Sequence, residues 1–479
     1  MTDSLSPFPE SFLLGDSEEA LDLLEVPSGG VVSGDAHPPS SKSITHRYGV
    51  LALLAAVRGD AGPWSLERPL LAEDTQLTLG ALRACGLEIE LEKGGGDRSV
   101  VHVRRPEGLF GASSGAETET ETEVLCGNAG TLCRILTAVL TAVPGRFRLD
   151  GSPRLRERPL GALLAALEPL GAQIRCLDRQ GYLPLLIEGG SLRGGVTEVD
   201  ASESSQYVTA LLLAGLGARE SSRIRVKALT SAPYLEITKQ VITGCGGRVE
   251  QQGEDLVVWP GLSVPRQLVV ETDFSAVAYP AAAAALTAGR LRIHGTDPDS
   301  PQGDRRFLEV LQRMGALVTW GDGWVEVQGG DLRAVREDFS DIPDQVPTLA
   351  ALAPFAAGVT HIENVAHLRI KESDRLAAMT TELRRLGATV EELEDGLVIP
   401  GVWSSDGGST VDSSKPSGDI GAPTPVAVDT WDDHRIAMSL ALTGLRRPGT
   451  QIREPAVVAK SYPRFWRDLE SWLRPENGG

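Results

Sequence analysis

The stretch Leu82-Arg83-Ala84-Cys85-Gly86-Leu87-Glu88-Ile89 carries the signal on which the fold turns. A helical pattern ends on a glycine and passes at once into residues suited to a strand. Glycine there supplies the left-handed backbone that closes a helix, because it lacks the Cβ that would clash. The same passage recurs at Leu167-Glu-Pro-Leu-Gly171-Ala-Gln-Ile, Gly244-Cys-Gly246-Gly-Arg-Val, Gln312-Arg-Met-Gly315-Ala-Leu-Val and Arg384-Arg-Leu-Gly387-Ala-Thr-Val. The glycines lie roughly 70–85 residues apart, beyond the ~20–50 residues of a solenoid repeat. A sixth helical pattern, Phe465 to Leu473, has no strand after it. This predicts an α/β fold of about six αβ modules, most simply three in each of two domains.

Composition agrees with that reading. At 479 residues, two or more domains are expected. With 41% hydrophobic residues but only 5% aromatic, Ala, Leu and Val must build the cores. No apolar run reaches the length of a membrane span, and the acidic Met1–Glu25 lacks the basic start of a secretory signal. A cytoplasmic protein is expected. The net charge of −19 argues against nucleic acid or an anionic membrane as partner, yet leaves room for a small anion met by local Arg and Lys. Five cysteines (Cys85, Cys126, Cys133, Cys176, Cys245) contain no CxxC pair and read as reduced thiols. Seven histidines show no ligand spacing, so neither metal nor cofactor is expected. Residues 1–21, 111–123 and 404–425 are expected to be mobile, and Asp22 to Asp35 to form a small hairpin around Pro27-Ser-Gly-Gly30.

Cationic side chains gather where loops enter helices. Lys42 and Arg47 flank Ser43 in a polar loop before the apolar Tyr48–Ala56. Arg134 follows Cys126-Gly-Asn-Ala-Gly-Thr131, a turn whose N–H groups could form an anion nest. Arg154, Arg156 and Arg158 share one loop before Pro159. Ser204-Ser205-Gln206 and Ser231-Ala-Pro-Tyr234 each open a helix, and Lys460 precedes Ser461-Tyr-Pro463. Helix N-termini favour anions, so the set suggests a cleft for phosphate and carboxylate. Taken singly, each is more simply a cap or a solvated cation. No Walker A loop or dinucleotide fingerprint occurs.

The carboxylates sit in the second half. Leu368-Arg-Ile-Lys371-Glu372-Ser373-Asp374-Arg375-Leu376 reads as a strand end entering a helix, with Ser373 as N-cap and Asp374 in the first turn. Leu376, Met379, Leu383 and Leu386 would bury one stripe and aim Lys371, Glu372 and Arg375 outward together. Asp344 precedes the apolar Pro347–Ala357, and Asp433-His434-Arg435 precedes Ile436–Leu445. Carboxylates among cations can handle a proton on an anionic substrate. A capping role for Asp344 and a buried polar role for His434 are the alternatives.

Taken together, these segments resemble the EPSP synthase family, the enolpyruvyl transferases of the shikimate pathway. The matching segments are Ser41-Lys-Ser43 with Arg47, Gly127-Asn-Ala-Gly-Thr131, Glu157-Arg-Pro159, Ser204-Ser-Gln206, Ser231-Ala-Pro-Tyr234, Gln302-Gly-Asp304, Ile342-Pro-Asp344, Lys371-Glu-Ser-Asp-Arg375, Asp433-His-Arg435 and Lys460-Ser461. The resemblance implies a two-domain inside-out α/β barrel, each domain a threefold repeat of αβ units. Residues 38–271 would form the shikimate 3-phosphate side, and 1–37 with 272–479 the side of the catalytic carboxylates. It implies transfer of the enolpyruvyl group of phosphoenolpyruvate to shikimate 3-phosphate by a monomer that binds neither nucleic acid nor membrane.

Carried over residue by residue, shikimate 3-phosphate would meet Lys42, Ser43, Arg47, Ser204, Ser205, Gln206, Ser231, Tyr234, Asp344 and Lys371. Phosphoenolpyruvate would meet Lys42, Gly130, Arg158, Gln206, Arg375, Arg435 and Lys460. Glu372 would protonate the methylene and Asp344 accept the hydroxyl proton, with Lys42 as a third catalytic group. The resemblance also makes the chain a glyphosate target, the bare backbone of Gly130 allowing close approach. Ser40 departs from a usual Gly, His46 from a common Asn, and His367 from an Asn found in some members. The sister family acting on UDP-N-acetylglucosamine normally has Lys-Asn where Lys42-Ser43 stand. A non-catalytic anion-binding protein on this fold is the other alternative.

Overall fold

A computed structural model describes residues 22–94, 99–110, 121–403 and 424–474. The mobility expected of 1–21, 111–120 and 404–423 falls outside those residues. The chain divides into two units, one of Ser40–Glu271 and one of Met1–Pro39 with Thr272–Gly479.

Each unit carries three small sheets built to one plan. In the contiguous unit Glu121–Leu125 pairs in parallel with Arg146–Asp150, which pairs antiparallel with Leu185–Glu188, and that strand with Gln173–Cys176. The same order of pairings joins Gly195–Asp200, Ser222–Lys227, Asp255–Trp259 and Arg248–Gln252. It joins Gln267–Val269, Trp64–Glu67, Val100–Arg104 and Glu88–Glu92 as well. Glu121–Glu123, expected to belong to a mobile stretch, is therefore a correction. Its alternating Glu and Thr place Glu121 opposite Arg146 and Glu123 opposite Arg148, cross-strand charge pairs that favour a strand.

The discontinuous unit repeats the plan twice in full. Val31–Ala36, Arg290–His294, Trp324–Gln328 and Leu317–Gly321 form one sheet, and Arg336–Asp338, Val359–Glu363, Leu397–Pro400 and Glu391–Glu392 another. Among the described residues the sixth sheet is short of a hairpin. Val426–Val428 pairs in parallel with Thr450–Arg453, and the antiparallel place is taken by Leu23–Glu25. The hairpin expected at 22–35 is thus absent, because its two strands complete different sheets. Both find partners far away in sequence, which no local pattern reveals. After the Phe465–Trp472 helix, where no strand was expected, Leu473–Arg474 pairs briefly with Val31–Val32.

The five punctuating glycines explain how the plan repeats. Gly86, Gly171, Gly246, Gly315 and Gly387 all have positive φ, between 66° and 111°, and each closes a helix before a strand. Each module pairs two kinds of helix. Lys42–Val57, Gly130–Val139 and Gln206–Gly217 are buried almost all round and pack on one another. So do Phe274–Leu286, Val346–Leu352 and His434–Arg446 in the other unit. Ala281 to Ala285 are fully buried, and such small side chains let helices approach closely. The remaining helices bury one face: Arg306–Arg313 buries Phe307, Leu308, Val310 and Leu311. Helices lie inside and sheets outside, around one apolar core per unit.

Candidate active site

In the contiguous unit the polar groups collect at the N-termini of the central helices. Ser41 caps Lys42–Val57 by accepting from the Ile44 N–H at 3.4 Å, so Lys42, Ser43 and Arg47 ride on the helix rather than on the expected loop. Lys42 Nζ pairs with Asp74 Oδ2 at 3.0 Å. Arg47 is 2% exposed. Its Nε and Nη2 donate to Thr238 Oγ1 at 3.0 and 2.9 Å, and Nη2 also to the Tyr234 carbonyl at 3.2 Å. Its Nη1 donates to the Ser43 carbonyl at 2.9 Å and to Ser43 Oγ. These acceptors are all neutral, and burial pushes the guanidinium down to about 10. The adjacent His46 bonds Thr78 Oγ1 at 2.6 Å. Burial first, then Lys42 and Arg47, push it down to about 3, so it stays neutral.

Gln206 Nε2 donates to Thr131 Oγ1 at 2.9 Å, joining two helix ends. Ser204 Oγ accepts from the Gln206 N–H at 3.2 Å, and Ser204, Ser205 and Ser231 are buried. Tyr234 enters through its carbonyl. Arg158, also buried, follows a short helix, Pro153–Arg156, where a loop was expected, and donates to the Asn128 carbonyl at 3.5 Å. Arg154 and Arg156 instead pair with Glu157 and Asp150. A Cβ on Gly130 would fall 2.5 Å from both terminal nitrogens of Arg158 and 2.6 Å from Arg134 Nη1. The first thing a methyl there meets is therefore this arginine pair, which refines the steric account given for the bare glycine. Asn128, not singled out by the sequence, has both amide atoms buried without a hydrogen-bond partner, an unusual state for an amide.

The discontinuous unit gathers the carboxylates. Asp374, not Ser373, caps Arg375–Arg385, its side chain accepting from the Ala377 N–H at 3.0 Å. Ser373 is buried and donates to Asp433 Oδ2 at 3.1 Å. The preceding Ala366–Ile370 is a 3-10 turn rather than a strand end. The stripe Leu376, Met379, Leu383 and Leu386 is buried as the spacing predicts. Arg375, however, does not face outward. It is 1% exposed and donates to Asp433 Oδ2 at 2.8 Å, Asp344 Oδ1 at 2.7 Å and Glu372 Oε2 at 3.0 Å. Burial alone would lower its pKa, but Asp433, Glu372 and Asp344 outweigh it and hold the cation firmly charged.

Arg435 Nη2 reaches the other oxygen of Asp344 at 2.9 Å. Burial works to raise the Asp344 carboxyl. Arg435, Arg375 and Lys371 overcome it and hold the group well below the usual carboxylate range. Asp344 is thus no helix cap but the acceptor shared by two guanidinium groups. Asp433 caps His434–Arg446 and accepts from the Arg435 N–H at 2.9 Å. His367 is pushed down to about 4 by burial first and by Lys371 next. Buried Asp304 accepts from Ser275 Oγ, and burial together with the charge of Asp344 raises it to about 6. Lys460 Nζ donates to the carbonyl and to Oδ1 of Asp432.

The structure thus draws Lys42, Ser43, Arg47, Ser204, Ser205, Gln206, Ser231, Tyr234, Gly130 and Arg158 onto helix ends of one unit. It places Asp344, Lys371, Glu372, Arg375 and Arg435 in one charged cluster of the other, with Lys460 on a neighbouring turn. Among the described residues no cluster of His, Cys, Asp or Glu could hold a metal ion, and no helix is long and apolar enough to cross a membrane.

The model of the EPSP synthase (3-phosphoshikimate 1-carboxyvinyltransferase) family matches residues 26–469. The chain belongs to the EPSP synthase family. A 3-phosphoshikimate 1-carboxyvinyltransferase of Syntrophobacter fumaroxidans is 41% identical over 438 residues, covering 90% of this chain and 95% of the relative. One of Vibrio cholerae is 37% identical over 440 residues, covering 91% and 96%. Among solved structures, EPSP synthase from Acinetobacter baumannii superposes with a TM-score of 0.70 at 25% identity, covering 94% of this chain and 98% of that one. The enolpyruvyl transferase NikO from Streptomyces tendae shares the fold, with a TM-score of 0.69 at 20% identity. The inside-out α/β fold therefore extends beyond the EPSP synthases, and the family is decided by sequence.

Proposed function

We infer that this EPSP synthase family member is a transferase that moves the enolpyruvyl group of phosphoenolpyruvate to the 5-hydroxyl of shikimate 3-phosphate and releases phosphate, on the route to chorismate and the aromatic amino acids. The roles divide between the units. In Ser40–Glu271, Ser43, Arg47, Ser204, Ser205, Gln206, Ser231 and Tyr234 receive shikimate 3-phosphate, while Lys42, Gly130 and Arg158 receive phosphoenolpyruvate. In the other unit Arg375, Arg435 and Lys460 add to the phosphoenolpyruvate set, and Asp344 and Lys371 to the shikimate 3-phosphate set.

Glu372 gives a proton to the methylene carbon of phosphoenolpyruvate, leaving its central carbon electron-poor. The 5-hydroxyl attacks that carbon and passes its proton to Asp344. The tetrahedral adduct then loses phosphate, which leaves with the proton taken up by Asp344, and returns one methyl proton to Glu372, restoring the double bond and both carboxyl groups. Lys42 offsets negative charge where the anions meet.

The observation that carries this reading is the grip of Arg375 and Arg435 on opposite oxygens of Asp344, with Glu372 on the same Arg375. Held this way, Asp344 is a weak base. A substrate carboxylate arriving on those two arginines adds negative charge and lifts it towards a working range. Binding thereby switches on the base.

Phosphate release with shikimate 3-phosphate and phosphoenolpyruvate tests the reading, and release is expected. Release only with UDP-N-acetylglucosamine as acceptor would move the activity to the sister reaction. Silence with both would leave an anion-binding protein. We take the enzyme to work as a monomer in the cytoplasm, where its five free thiols suit a reducing medium. Sedimentation velocity checks the first of these.

A further inference from the structure

Lys460, assigned above to phosphoenolpyruvate, is already held by its own chain. Its Nζ donates to the Asp432 carbonyl at 2.7 Å and to Asp432 Oδ1 at 2.6 Å. The lysine side chain is 10% exposed and the aspartate 69%. The turn that presents Asp432 is itself uncommon. Trp431 and Asp432 both have positive φ, 57° and 51°, a conformation disfavoured for residues bearing a Cβ and for bulky ones above all. Two such residues in a row need holding from outside.

Glu382 does the holding. Its side chain is fully buried on the helix that Arg375 begins. Glu382 Oε1 accepts from Trp431 Nε1 at 2.9 Å, and Oε2 accepts from the Asp429 N–H at 3.2 Å and from Arg385 Nη1 at 2.9 Å. One helix thus fixes Arg375 at its start and, through Glu382 two turns on, the turn that grips Lys460.

We propose that Asp432 is the internal counter-ion of Lys460, a positioning residue presented by the Glu382-held turn, and that phosphoenolpyruvate must displace its carboxylate to reach the ammonium group. The Asp432 backbone carbonyl keeps Lys460 in place throughout. The carboxylate sets how hard an incoming anion must compete. This inference rests on the role proposed for Lys460.

Steady-state kinetics on the full-length enzyme test it. Asp432→Asn keeps the size, the carbonyl contact and a residue tolerant of the left-handed region, and removes only the charge. The KM for phosphoenolpyruvate should fall roughly two- to fivefold, the scale of a partly exposed ion pair, while that for shikimate 3-phosphate stays unchanged. The gain should shrink in high salt. Glu382→Gln sets an amide NH2 against N–H donors, loosens the turn and should raise the same KM. An unchanged or raised phosphoenolpyruvate KM in Asp432→Asn overturns the counter-ion assignment, and an unchanged one in Glu382→Gln overturns the holding of the turn. Lys460→Met separates the layers. If it leaves that KM untouched, the role of Lys460 itself fails; if it raises KM while Asp432→Asn does nothing, only the present inference fails.

Discussion

Two buried arginines, one in each unit, are wired in opposite ways. Arg47 is surrounded by hydroxyls and carbonyls, and burial weakens its hold on its proton. Arg375 meets three carboxylates, and those charges strengthen its hold. A buried cation among neutral acceptors is costly until an anion arrives, so the arrival of one is strongly favoured. A cation already matched to carboxylates gains little from one more anion. It gains an exchange, in which a substrate carboxylate displaces a protein one and alters its basicity. Arg47 therefore suits a site for holding a phosphate, and Arg375 a site where proton transfers are timed.

The sharpest test of this contrast is Glu372→Gln. Removing the proton donor at constant volume should cut turnover by ~10²–10⁴-fold while shikimate 3-phosphate binding stays nearly intact. Single-turnover kinetics and a binding isotherm read the two effects separately, and wild-type turnover would remove Glu372 from its role. Next in size is a matched pair of stability measurements. Arg375→Met strands buried carboxylates and should cost ~3–5 kcal/mol in urea unfolding. Arg47→Met strands none, and its hydroxyl partners keep other bonds, Thr209 to Thr238 at 2.9 Å and Thr238 to the Tyr234 carbonyl at 3.0 Å. It should cost at most about 1–2 kcal/mol, yet abolish shikimate 3-phosphate binding. Equal costs would erase the distinction.

The smallest effect concerns Asp304, whose carboxyl is raised to about 6 by burial and by Asp344. A carboxyl raised on folding binds more protons folded than unfolded, so its contribution to stability falls as pH climbs from about 4 to 6. Asp304→Asn should raise Tm by about 2–4 °C at pH 8. The gap should close below pH 4. Thermal scans at both pH values check the sign, and a lower Tm for the variant at pH 8 would contradict it.

Much of this was legible in the sequence, for definable reasons. Gly86, Gly171, Gly246, Gly315 and Gly387 announce the modules because left-handed helix ends leave a chemical mark at one position. The cations were legible because they sit on helix ends that a cap or an apolar run locates. What escaped was direction and partnership. Arg375 was expected to face solvent, since a charge beside an apolar stripe usually does. Its inward turn depends on Asp433, 58 positions away, and on Asp344, 31 positions away. Asp74, Asp432 and Glu382 carry no local signal at all. Each matters only through a contact that folding makes. Ser373 lost the capping role to Asp374 by one residue, the usual margin at a helix start.

The borrowed strand Leu23–Glu25 has a consequence for the order in which the protein can be made. Ser40–Glu271 is a single run of chain, and all its sheets can close once residue 271 has left the ribosome. Leu23–Glu25 emerges before that unit begins, but its partner Thr450–Arg453 is made only after the whole of that unit. At ~5–20 residues per second, tens of seconds separate the two. Through that interval an early edge strand waits unpaired while a whole unit folds in between. The unit that carries Asp344 and Glu372 is thus completed only after Ser40–Glu271 has been made.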